Sequence, residues 1–81
     1  MGKPYTIRLD ENALGQLLDG LRCRAEAWHG TAKYFETGKT PHENFLIEDC
    51  NDTEEARKIA ADYDRLIAEI EDQMQSQRAA S

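Results

Sequence analysis

The sequence predicts a mainly α-helical fold: an antiparallel two-helix hairpin with a short β-strand ahead of each helix, completed by a two-fold homodimer into a four-helix arrangement. Three observations predict it. Two long stretches carry apolar residues at alternating steps of four and three, the spacing of a helix with one apolar stripe. Two short runs directly before them alternate apolar and polar residues, the spacing of a half-buried strand. And 81 residues in one domain, 1–81, bury too small a share of their surface to be secure without regular packing or self-association.

The first run is YTIRL, residues 5–9, in which Tyr5, Ile7 and Leu9 alternate with Thr6 and Arg8 and Pro4 stands outside. A helix over about 11–37 follows. Asp10 suits its N-cap, because a carboxylate there accepts a bond from an otherwise unpaired N–H of the first turn. Gly38 suits the left-handed position after its last turn. Its seam runs Leu14, Leu18, Leu21, Ala25, Trp28, Ala32, Phe35, with Leu17 widening the stripe. Gly15, Gly20 and Gly30 weaken this helix, each by up to about 1 kcal/mol against alanine. At Gly30 the missing side chain admits a close approach by another segment or a mild bend.

The second strand is expected over 44–48, with Phe45 and Ile47 on one side and Leu46 on the other, after Pro41. The second helix, over about 53–77, starts from Asp52 with Glu55 three positions on, a variant of the capping box. Its seam is Ala56, Ala60, Tyr63, Ile67, Ile70, Met74, flanked by Ile59 and Leu66. Residues 78–81 offer nothing apolar to anchor and are expected to fray. In antiparallel pairing Trp28 and Phe35 lie opposite Ala56 and Ala60, and Leu14 to Leu21 meet Ile70 and Met74, so that large faces small.

The strands raise a geometric difficulty. The first helix is about 40 Å long and separates them, while a five-residue strand spans about 17 Å. In a two-fold dimer, strand 1 of one chain meets strand 2 of the other. The competing arrangement breaks the first helix at Gly30 and folds the chain back as a compact α+β monomer.

With 32% charged and 40% hydrophobic residues the chain falls in the soluble globular range. No apolar run reaches the roughly 18 residues of a membrane span, and the N-terminus lacks the apolar segment of a signal peptide, so a cytoplasmic chain is expected. The net charge of −6 is uneven: residues 1–42 carry six Lys/Arg against five Asp/Glu, residues 43–81 four against eleven. Direct nucleic-acid binding needs a basic stripe, and none is written here. Cys23 and Cys50 would stand roughly 20 Å apart in the hairpin, out of disulfide reach, and are expected as free thiols.

No phosphate-binding glycine loop, CxxC, HExxH or GxSxG occurs, so no enzyme, cofactor or metal centre is expected. Cys50, His42 and Asp49 share one connection, but their spacing is as generic for a Cys-His nucleophile as for a metal site. His29 has no ligand partner at i+3 or i+4, where Lys33 stands.

The densest charge is EDCNDTEE, residues 48–55. Acidic groups at a helix start interact favourably with its dipole, by about 0.3–1 kcal/mol each. Further along, Glu54–Lys58 and Arg65–Glu69 have i,i+4 spacing, leaving Asp62, Asp64, Glu71 and Asp72 largely unneutralised. Glu48, Asp49, Asp52, Glu54, Asp62, Glu69 and Asp72 therefore form the candidate docking surface for a basic protein. In size, acidity and simplicity the chain is similar to small phage or mobile-element proteins that occupy the basic, nucleic-acid-binding surface of a host nuclease, as some anti-CRISPR proteins do. That resemblance implies a non-catalytic inhibitor. The alternative is a small-molecule or metal sensor with a site near Trp28, His29 and Cys23.

Overall fold

In the computed structural model, which describes residues 2–80, helix α1 (Glu11–Thr37) begins at Asp10. The Asp10 Oδ1 accepts the Ala13 N–H at 2.8 Å. The helix ends at Gly38, which takes the left-handed φ of 78° and donates its N–H to the Tyr34 carbonyl at 2.7 Å. Only glycine enters that conformation without a Cβ penalty, so the stop is written into the sequence. Helix α2 (Thr53–Ala80) begins in the same way, with Asp52 Oδ1 accepting the Glu55 N–H at 2.8 Å.

The helices pack side by side and antiparallel, in a register fixed by ion pairs across the seam. Glu36 pairs with Arg57, His29 Nε2 lies 2.6 Å from Asp64 Oδ2, and Arg22 Nη2 lies 2.6 Å from Glu71 Oε2. The three pairs step by seven residues along each helix in opposite senses. Beyond them Arg78 reaches Glu11 at 2.5 Å. Each pair is roughly half exposed, so each adds little stability, about 0–1 kcal/mol, and their main effect is on register.

Trp28 and Ala32 pack with Ala56 and Ala60, and Cys50, Ile59 and Tyr63 close around them. Leu18 and Ala25 are the other buried apolar residues. The alanines let the helices approach closely enough for the indole to fill the space between them. Phe35, a seam residue by spacing, is 40% exposed and stacks edge-on against Tyr34.

The connection runs back along α1. Phe45 lays its ring over Gly30, where a Cβ would fall 2.8 Å from Cε2. The Glu48 N–H donates to Thr31 Oγ1 at 2.9 Å, and that hydroxyl donates to the Ala27 carbonyl at 2.8 Å. Arg24 Nη1 donates to Glu48 Oε1 at 2.8 Å. Tyr63 and Glu48 push the Arg24 pKa still higher, so its guanidinium joins α1, the connection and α2 as a permanent cation.

Three expectations are corrected by this arrangement. Neither 5–9 nor 44–48 is a strand, and there is no strand among the described residues. Residues 5–9 find no neighbouring strand and leave Tyr5 83% exposed, while 44–48 spends its backbone on a turn to His42 and on Thr31. Helix α1 runs unbroken through Gly30 to Thr37 as its spacing predicts, and the competing break at Gly30 does not occur; Phe45 fills the glycine notch. The end expected to fray is helical through Ala80, with Arg78 anchored on Glu11, and Ser81 lies outside the described residues.

The result is a rod of 48 × 29 × 17 Å with a radius of gyration of 15.4 Å, where a compact domain of this length has about 12 Å. Its shortest dimension, 17 Å, leaves room for the helix pair and the connection laid along α1, and for no second pair of helices. Leu14, Leu21, Ile67, Ile70 and Met74 are only half-buried. Among the described residues, no helix is long and apolar enough to cross a membrane.

Candidate functional site

The structure divides the seven candidate acidic residues into two groups. Glu48 is held by Arg24, Asp52 caps α2, and Asp62 is shared between Arg65 at 2.9 Å and Lys58 at 3.7 Å. Asp49, Glu54, Glu69 and Asp72 stand exposed, and none of them forms an ion pair among the described residues. The 18 residues between Glu54 and Asp72 make five full turns, so these two share one line about 27 Å apart, with Glu69 beside it. This line lies on the side of α2 turned away from α1, and the Lys58–Asp62–Arg65 cluster neighbours its middle.

The intrahelical pairs Glu54–Lys58 and Arg65–Glu69 do not form, because both cations turn to Asp62. Asp64 and Glu71, which spacing left unneutralised, pair across the seam with His29 and Arg22. The signal for these cross-helix pairs was present in the sequence. Positions 22, 29 and 36 read Arg, His, Glu, and 71, 64 and 57 read Glu, Asp, Arg, complementary at every step.

Trp28, His29 and Cys23 do not converge. They project about 100–140° apart around α1, into the seam, towards Asp64 and into solvent respectively. Cys50 and His42 do not face each other as a nucleophile and base would. The Cys50 thiol packs beside the Trp28 cluster and donates weakly to the Asp52 carbonyl at 3.7 Å. Burial, with Glu55, Asp52 and Asp49 nearby, pushes its pKa up, which lowers the thiolate fraction a nucleophile needs. His42 instead stacks edge-on with Phe45, ring centroids 5.7 Å apart.

Sequence reasoning missed a shallow groove where the connection leaves α1, between His29, Lys33, His42 and Phe45. Its rim mixes Lys33, His29 and His42 with the carboxylate Glu26 over an apolar floor. Among the described residues, no three His, Cys, Asp or Glu side chains are grouped to hold a metal ion.

Comparison with the models of known protein families, with curated proteins and with solved structures finds no match for this chain.

Proposed function

We propose that the chain is a non-catalytic protein-binding module that works as a homodimer and docks the outer, acidic side of α2 on a basic protein surface. The nucleic-acid-binding face of a partner, of the kind that small phage or mobile-element inhibitors occupy, has the required charge. The observation that supports this reading is the set Asp49, Glu54, Glu69 and Asp72, exposed carboxylates without an ion partner among the described residues, of which three stand on a capped helix. A basic partner engages them without first breaking an ion pair inside the chain, and a rigid helix loses little freedom on binding. Complementary charge of this sort acts mainly on the rate of encounter.

The test is capture of the partner from the source cells, followed by association kinetics with the purified partner. The Glu54→Lys/Glu69→Lys/Asp72→Lys chain is expected to associate at least tenfold more slowly, and added salt to slow the unaltered chain in the same direction. Association that ignores both the reversals and the salt contradicts the reading.

A further inference from the structure

We infer that residues 5–9 are a strap that closes over the open end of the hairpin, the end away from the connection, and seats Ile7 between Leu14 and Met74. This structure is the open form, in which Tyr5 and Ile7 stand in solvent. The strap needs no partner and does not depend on the docking reading.

At the turn end the connection runs back along α1 and closes over the seam. At the open end Leu14 and Met74 line a groove of about 270 Å³ together with Gln77 and the Glu11–Arg78 pair. The heptad assigns Leu14 and Met74 to the seam, yet both are only half-buried.

Four observations choose the segment before α1 as the occupant of this groove. The first is the way the chain enters the helix. Leu9 stands just before the Asp10 cap and Leu14 at the fourth helical position, the two places whose side chains pack together as a hydrophobic staple and set the entry angle. Leu9 is accordingly less exposed, at 47%, than Ile7 or Tyr5. The second is spacing and reach. Side chains two apart in an extended chain share one side, so Ile7 and Tyr5 follow Leu9 towards the seam. Five extended residues span about 17 Å, more than the roughly 10 Å of helix axis from Leu14 to Leu21.

The third observation is charge. Residues 2–9 carry Lys3 and Arg8 and no carboxylate, and neither cation has an ion partner among the described residues. The α2 stretch ahead of Met74 holds Glu69, Glu71 and Asp72, of which only Glu71 is ion-paired among the described residues. Opposite charge therefore draws the strap across the seam. The fourth is that residues 2–9 make no hydrogen bond among the described residues, so nothing there ties the strap in its open position. Closing takes Ile7, Leu14 and Met74 out of water together and gives the open end a third segment. Because so few side chains hold it, the strap opens as readily as it closes.

Methyl NOE spectroscopy of the full chain tests the strap. Cross-peaks are expected from Ile7 to the Leu14 methyls and to the Met74 ε-methyl, and a sample mixing isotope-labelled and unlabelled chains is expected to place them within single copies. The Ile7→Asp chain is expected to keep its helical circular dichroism, because residue 7 lies outside both helices. Its amides at 14–17 and 70–74 are expected to exchange at least about threefold faster, with 28–32 and 56–60 unchanged. Absence of the cross-peaks, cross-peaks found only between copies, or exchange at 14–17 and 70–74 that Ile7→Asp leaves as it was would overturn the inference.

Discussion

At the end of the hairpin where the chain turns, Trp28 and Ala32 meet Ala56 and Ala60 and are closed in by Cys50, Ile59 and Tyr63. At the other end Leu14, Leu21, Ile70 and Met74 have only the two helices around them and remain half-exposed. The sequences of the two ends are equally apolar. What differs is the number of segments: the turn end has three, because the connection comes back along α1 and fixes itself through Phe45, Glu48 and Cys50. Two helices in contact bury the alanines and Leu18, but Leu14, Leu21, Ile70 and Met74 need a further layer to leave water. The turn end finds that layer within the chain. The other end does not, since the segment before α1 keeps Ile7 74% exposed.

Substitutions in the seam probe this difference most strongly. Trp28→Ala is expected to cost about 3–5 kcal/mol in chemical denaturation, a large share of the stability of so short a chain. Leu14→Ala is expected to cost less than about 2 kcal/mol, because much of that side chain is already wet. Equal costs would erase the distinction between the ends. A smaller contrast comes from the glycines of α1. Gly15 has no neighbour within 4 Å of a built Cβ, so Gly15→Ala is expected to stabilise by up to about 1 kcal/mol. Gly30→Ala must push the Phe45 ring off the helix and is expected to give no gain or a loss, read from the shift in melting temperature.

The sequence carried the helices, their caps and the seam legibly. Asp10, Gly38 and Asp52 act locally, and a local act is written within four residues of where it happens. The strands were misread for the complementary reason. The alternation of Tyr5, Ile7 and Leu9 is local, but a strand exists only beside another strand, and residues 44–48, its one candidate neighbour, are engaged by α1. The i,i+4 rule likewise found neighbours within a helix and passed over those across it, so His29 looked partnerless while Asp64 stood opposite in the register. Of the candidate docking residues, Asp49, Glu54, Glu69 and Asp72 are exposed as their spacing suggested. Glu48 was less legible, because its role depends on the path of the connection, which brings it to Arg24 and Thr31.

Amide hydrogen exchange tests the central claim most directly: the turn end is completed by a third segment, its own connection, and the other end has none within the described residues. Residues 28–32 and 56–60 are expected to exchange more slowly than residues 14–17 and 70–74. Equal protection at the two ends would contradict it.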